Sequence, residues 1–281
     1  MIIMKIAVAS GKGGTGKTTV AINLAFSIGQ CTLLDCDVEE PDANLYLKAD
    51  LEQLEEATMP NPIIDAELCD LCGKCVRFCR YNALAKLPSE ILLFPHICNG
   101  CGGCALVCPK AAITEAPRTM GVIEKGRRGA ITFYGGTLSI GEARSPPVIR
   151  QLKGHIPPEG NTILDSPPGS SCPFVTTVSG CDYVVLVTEP TPFGLHDLRM
   201  VIEVLNELGI SYGVIINRHD IGDSAVEEFL AQNSIELLGK IPNSMDIARL
   251  GSNGKILVEN DMEMRHMFQG LLEKIRAKVG E

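Results

Sequence analysis

Two hydrophobic periods alternate along the chain, and the first unit shows both. Lys5 to Ser10 is a short apolar, β-prone run, Gly11 to Gly16 is a glycine-punctuated loop, and Lys17 to Ile28 carries helical spacing through Val20, Leu24 and Ile28. Cys31 to Asp37 then gives a second short strand. Strand, loop, helix and strand in that order predict a βαβ unit with a parallel pair. The alternation resumes after Thr162, with strands predicted over 162–165, 183–188, 212–216 and 235–240, helices over 194–208 and 223–231, and a closing helix over 260–278. Between these halves the pattern breaks. After Pro60 the stretch Cys69 to Pro109 is too poor in apolar periodicity to continue such a sheet, while residues 121–140 alternate β-prone residues with glycine and predict a hairpin before a helix-like Pro147 to Leu152. The expected architecture is α/β, a mainly parallel sheet with helices on both faces. It is split into residues 1–59 and 118–281 around a small α+β insert at 60–117.

Composition supports the α/β class, since hydrophobic residues make up 45% and aromatics only 5%, with no Trp, as a Val/Ile/Leu-rich parallel sheet would. No apolar run reaches the ~18 residues of a membrane span, and no basic leader precedes the first strand, so a cytoplasmic location is expected. The formal net charge of −9 argues against nucleic acid as a partner, which a basic excess would favour. Residues 118–154 run against that trend at +5, which reads either as a partner-docking surface or as a solvated hairpin face.

The glycine loop sharpens the function. Gly11-Lys12-Gly13-Gly14-Thr15-Gly16-Lys17-Thr18 satisfies GxxxxGK[ST] between a strand and a helix, the context in which that pattern binds phosphate. Backbone N–H groups and the helix N-terminus would cradle ATP or ADP, with Thr19 just inside the helix; Lys17 would reach the β/γ-phosphates and Thr18 would hold Mg²⁺. With Lys12, the sequence KGGxGKT resembles the deviant P-loop of the MinD, ParA, Mrp and nitrogenase iron protein class. That resemblance implies an ATP-dependent homodimer in which Lys12 crosses to the nucleotide of the other subunit. It also implies that Asp37 orients the attacking water, that Asp165 stands near Mg²⁺ through water, that Gly169 faces the γ-phosphate, and that Asn217 reads adenine. Pro190 to Leu198 and Ile241 to Ser244 resemble the subgroup with ferredoxin inserts. In MinD itself the last helix is a basic membrane anchor; here Asp261 to Val279 mixes both charge signs, and a docked helix rather than an anchor is expected.

Eight of the twelve cysteines are ordered. Cys69, Cys72, Cys75 and Cys79 form CxxCxxCxxxC, and Cys98, Cys101, Cys104 and Cys108, followed by Pro109, repeat it 29 residues later. This is the bacterial ferredoxin signature, in which three closely spaced thiolates wrap one cubane and the fourth ligates the other. The predicted sets are crossed: Cys69, Cys72, Cys75 and Cys108 for one [4Fe–4S] cluster, and Cys98, Cys101, Cys104 and Cys79 for the second. Arg80 stands where the family keeps a proline, which puts the turn there in doubt. Structural zinc also uses CxxC pairs, but has no need of the third Cys. Cys31, Cys36 and Cys181 read as buried thiols. Cys172, seven residues after Asp165, lies about where the nitrogenase iron protein places a bridging cluster ligand, and reads either so or as a helix-start residue.

The function expected from this combination is ATP-driven dimer switching coupled to electron transfer through the two clusters, with a redox or cluster-accepting protein as partner. The alternatives are an ATP-dependent Fe–S or Mo–Fe cluster assembly or carrier protein, and a MinD- or ParA-like positioning ATPase.

Overall fold

In the computed structural model, which describes residues 3–280, the short apolar runs become the middle of one sheet. The strands are β1 Lys5–Ala9, β2 Cys31–Asp35, β3 Glu52–Ile64, β4 Leu84–Lys86, β5 Ile91–Leu93, β6 Ile113–Arg128, β7 Ile131–Leu138, β8 Asn161–Asp165, β9 Tyr183–Thr188, β10 Tyr212–Asn217 and β11 Leu237–Ile241. The helices are α1 Lys17–Ile28, α2 Ala43–Leu47, α3 Lys74–Phe78, α4 Gly103–Leu106, α5 Pro146–Lys153, α6 Cys172–Val178, α7 Pro192–Leu208, α8 Ala225–Gln232, α9 Met245–Ser252, α10 Leu257–Asn260 and α11 Met262–Val279. Among the described residues the main sheet has nine strands in the order β11-β10-β9-β1-β8-β2-β7-β6-β3. From β11 to β7 neighbours are parallel; β6 then runs antiparallel to β7, and β3 antiparallel to β6.

The central strands are buried on both faces, and their residues alternate between two apolar clusters. Ile6 and Val8 pack with Val20 and Leu24 of α1 and Phe268 and Leu271 of α11, whereas Ala7 and Ala9 face Val148 of α5, Phe174 of α6 and Leu198 of α7. Each large side chain so buried contributes about 1.5–3 kcal/mol. The apolar face of α11 is therefore spent on the core, and no helix of the described residues is long and apolar enough to cross a membrane. From β1 the chain moves first to β8 and β2 on one side, and later to β9, β10 and β11 on the other. The loops leaving the carboxyl ends of β1, β2, β8, β9 and β10 thus converge where the strand order reverses, the usual ligand crevice of an open α/β sheet.

The interrupting segment departs from the expected boundaries. β3 pairs with β6 from end to end, from Glu52↔Lys125 to Ile64↔Ile113 with irregularities at Gln53/Glu55 and Ala57/Thr58, so positions 59/60 and 117/118 fall inside a ribbon of the main sheet rather than at a domain edge. Pro60, Pro62 and Pro117 are tolerated here because β3 is the sheet's edge strand and β7 pairs with β6 only from Gly121 onward, which leaves each proline a side with no neighbouring strand. The ribbon closes at its tip where Asp65 N–H donates to Ala112 O at 2.8 Å. Residues 65–112 beyond it hold the second sheet, β4–β5, and Cys75, Leu84 and Ile91, which form a small apolar cluster with Ile113 of β6. A separate ferredoxin domain is not evident in this architecture. The predicted hairpin at 121–140 forms from β6 and β7.

Candidate functional site

The phosphate loop leaves β1 at Ala9 and enters α1 at Lys17, with Gly14 at φ 76° and Gly16 at φ 92°. At Gly16 glycine is needed twice over, because a Cβ there would also lie 2.6 Å from Asn217 Nδ2. That amide donates to Thr15 O at 2.8 Å, which ties the end of β10 to the loop. Asn217, Gly16, Thr19, Tyr46 and Pro242 line an open cleft beside the loop. The first turn of α1 has no side-chain cap, so its N–H groups are left for an anion.

Two carboxylates lie side by side beneath the loop, since Asp35 and Asp165 are register partners in the β2–β8 pair and both are fully buried. Asp35 is satisfied, accepting from the N–H of Asp37 at 3.2 Å and of Ala43 at 3.0 Å. Burial and the adjacent Asp165 push its carboxyl well above the usual range. Neither oxygen of Asp165 meets full hydrogen-bond geometry, although the Thr18 hydroxyl lies close enough to act on the carboxyl, and Thr15 Oγ1 and Asp42 Oδ1 are likewise buried without partners. Burial pushes Asp165 up to about 7, against the pull of the Thr18 hydroxyl and the Lys17 ammonium. Burial also raises Asp37 to about 6, with Lys17 opposing. Unsatisfied buried oxygens cost about 1–3 kcal/mol each, and these fit a cation and the groups it carries. Gly169, at φ 90°, donates its N–H to Ser10 O at 2.9 Å, so the loop after β8 touches the start of the phosphate loop.

Lys12 is held within its own chain. Its ammonium lies 2.8 Å from Glu189 Oε2, and Arg218 pairs with the other oxygen of the same, almost fully buried carboxylate. Sequence reasoning assigned no role to Glu189, Asp35 or Asp42; the signal available for each was a carboxylate at or just beyond the end of a strand that feeds the crevice.

At the ribbon tip, Cys69, Cys72, Cys75 and Cys108 line one small depression, and Cys79, Cys98, Cys101 and Cys104 line another. These are the crossed groupings. The 29-residue repeat extends to the backbone, where Leu71 and Gly100, Gly73 and Gly102, and Asn82 and Ala111 all have positive φ. It extends also to amide–sulfur contacts, with Ala83 N–H on Cys79 Sγ and Ala112 N–H on Cys108 Sγ, both at 3.4 Å. Among the described residues no three His, Cys, Asp or Glu side chains converge as a single-ion site. Cys31 and Cys36 are buried, burial pushing Cys31 up to about 12, and Cys181 is half-buried, pushed up to about 11. Cys172 is exposed at the start of α6. In the basic segment Arg127 and Arg150 are exposed, while others are engaged. Arg118 pairs with Glu142, Arg128 with Glu259, and Lys153 donates to three carbonyls at the end of α6, at 2.7–2.8 Å.

The profile of the CobQ/CobB/MinD/ParA nucleotide-binding domain matches residues 6–258. An uncharacterized protein of Methanocaldococcus jannaschii is 30% identical over 98% of this chain and 97% of its own length. An iron-sulfur cluster carrier protein of Pyrococcus horikoshii is 23% identical over 99% of this chain and 87% of its own. Among solved structures, the septum site-determining protein MinD of Pyrococcus horikoshii, complexed with Mg-ADP, superposes with a TM-score of 0.58 at 21% identity, covering 98% of this chain and 96% of that one. The strand order, the phosphate loop and the span of the family match agree: this chain belongs to the CobQ/CobB/MinD/ParA family of nucleotide-binding proteins.

Proposed function

We propose that the protein is a Mg²⁺-dependent, ATP-hydrolysing switch of the MinD/ParA type that carries two [4Fe–4S] clusters on the tip of its β3–β6 ribbon. The observation that carries the nucleotide half is Asp165, fully buried beside the phosphate loop with no hydrogen bond of full geometry to its oxygens. Thr18, with Asp165 through water, would hold Mg²⁺; the N–H groups of Gly13 to Thr18 and the Lys17 ammonium would take the phosphates, and Asn217 the base. Asp37 would orient water for attack, the role for which its carboxyl must be ionised. Lys12 would leave Glu189 to serve the nucleotide of a second copy in a homodimer.

Support for the clusters is the pair of depressions, each lined by four cysteines of the repeated motif, with backbone amides donating to the sulfurs of Cys79, Cys98 and Cys108. Bound clusters would supply one-electron storage and transfer between the tip and a protein partner. The proposal is tested by anaerobic purification with iron and sulfide analysis, and by MgATP turnover. About eight irons per chain, together with turnover lost in Lys17→Ala, are expected; iron near zero removes the cluster half, and turnover that survives Lys17→Ala removes the other.

A second reading, favoured by the likeness to solved MinD structures, is a positioning ATPase in which the tip is a structural or sensing appendage. ATP-dependent co-sedimentation with liposomes or DNA would support it. The relatives named as iron-sulfur cluster carriers favour a third, in which labelled iron moves to an apo acceptor protein.

A further inference from the structure

The segment between β7 and α5, residues 139–145, touches both the nucleotide crevice and the cysteine-rich tip. It leaves the sheet beside the loop that carries Asp37, where Leu138 N–H donates to Val38 O at 2.8 Å. At its far end the hydroxyl of Ser145, itself buried, donates to Glu39 Oε1 at 2.8 Å, two residues beyond Asp37. The preceding residue turns the other way. Arg144 donates from Nη1 to Cys98 O at 2.6 Å and to Asn99 Oδ1 at 3.1 Å, and from Nη2 to Ile97 O, while its guanidinium stacks 5.7 Å from the centre of the Tyr81 ring. Glu142 adds a third grip, buried against Arg118 and 3.6 Å from His96 Nδ1.

Two consecutive residues therefore hold the loop after β2 and the loop that presents Cys98. The repeat within the tip makes the asymmetry plain. Twenty-nine residues earlier, the equivalent loop Leu68–Asp70 is held by its own Asp65, whose carboxylate accepts from the N–H of Glu67 at 2.8 Å and of Leu68 at 3.2 Å. A planar guanidinium bonded to adjacent carbonyls fixes their orientation as well as their charge environment, and hydrogen bonding and charge are levers on a cluster's potential.

We propose that Arg144 and Ser145 form the link by which nucleotide occupancy alters the Cys79/Cys98/Cys101/Cys104 site, leaving the Cys69/Cys72/Cys75/Cys108 site unaffected. Arg144 is a positioning residue. When the loop after β2 rearranges around MgATP, the Glu39–Ser145 contact pulls the 139–145 segment, and Arg144 carries the movement to Cys98. This rests on the reading of the tip as the holder of two clusters, and the test separates the two claims.

The test uses the full chain, purified anaerobically, in three steps. Iron analysis first reports whether the tip holds clusters at all. EPR-monitored redox titration with and without a non-hydrolysable MgATP analogue is then expected to move one of two potentials and not the other. In Arg144→Ala the MgATP response should disappear with iron content and nucleotide affinity unchanged, and the responsive cluster should become harder to reduce by about tenfold, or about 59 mV for one electron. Amide hydrogen exchange, which reads the protein and not the clusters, should change on nucleotide binding in residues 94–101 and stay constant in 65–72, in iron-loaded and iron-free protein alike. Two potentials that move together, a response that survives Arg144→Ala, or equal exchange changes in the two loops would each overturn the link. If Arg144→Ala fails to retain iron, Ser145→Ala breaks the same path from the nucleotide side, and a preserved response there overturns the link equally.

Discussion

Asp165 is ionisable and fully buried, with no hydrogen bond of full geometry to its oxygens; the Thr18 hydroxyl acts on it from nearby, Asp35 stands beside it, and Lys17, Asp37 and Asp42 are the other charges that act on it or its neighbour. Its carboxyl is raised to about 7 from an ordinary value near 3.8, chiefly by burial, so the fold favours the protonated form. The sign of the pH dependence follows. The contribution is fully present below the unfolded value of ~3.9 and is lost as pH rises through about 7, because the unfolded chain releases the proton first. Nucleotide-free protein should therefore lose on the order of 2 kcal/mol between pH 5 and pH 8 from this site. Thermal denaturation across that range is expected to show a falling midpoint, flattened by MgADP and by Asp165→Asn. A wild-type midpoint that rises with pH relative to the variant would contradict the argument. The same proton explains why a group this costly persists: a divalent cation inverts the local preference and makes the carboxylate the stable form.

At the scale of elements, α11 shows how a terminal helix is fixed. Asp261 caps it by accepting from the N–H of Glu263 at 2.9 Å and of Met264 at 3.1 Å, and Phe268, Leu271, Leu272 and Ile275 bury one face in the core. Asp261→Ala should cost about 1 kcal/mol in chemical denaturation, with MgATP affinity unchanged; Leu271→Ala should cost about 2–5 kcal/mol. A negligible cost for Leu271→Ala would mean that the helix is not docked. Elements of this kind were legible in the sequence, since their period is long and their caps are local: α1 spans the predicted 17–28, and β8, β9, α7, β10 and α8 lie within two residues of expectation, whereas the short α6 was not among the predicted helices. The phosphate loop and the two cysteine sets were legible for the same reason, being motifs of fixed spacing. The β3–β6 ribbon was not, because proline at a sheet edge costs nothing that proline in a sheet centre would, and edge status is a property of the whole sheet. Glu189 and Arg144 were also hidden. Their partners lie 177 and 46 residues away, at Lys12 and Cys98, and no local pattern marks such a pairing.

The whole molecule holds its phosphate loop and its cysteine-rich tip apart by simple means. Lys12, the residue with which a second copy would be engaged, is occupied by Glu189, so dimerisation would first break a pair formed within one chain. Glu189→Gln weakens that pair without removing its hydrogen-bonding shape, and should tighten the MgATP-dependent dimer by about tenfold, near 1.4 kcal/mol. Lys12→Ala should abolish it. Sedimentation velocity with a non-hydrolysable analogue reads both, and identical behaviour of wild type and Glu189→Gln would show that Lys12 stays with its own chain. The tip is attached more economically still. Ile64 and Ile113 are direct partners in the ribbon, and the next residues, Asp65 and Ala112, are already bonded at 2.8 Å, so the path into the tip and the path out lie one strand spacing apart. Removing 65–112 and joining Ile64 to Ile113 through Asn-Gly, a pair suited to a type I′ turn, leaves every strand of the main sheet in register. The shortened protein should fold and bind MgATP within about threefold of the full chain, a difference below about 0.7 kcal/mol. It should also contain no iron. Loss of nucleotide binding in a folded product would show instead that the tip helps to shape the crevice. That would make the contacts of residues 139–145 with Cys98 and Glu39 part of the binding site and not a link appended to it.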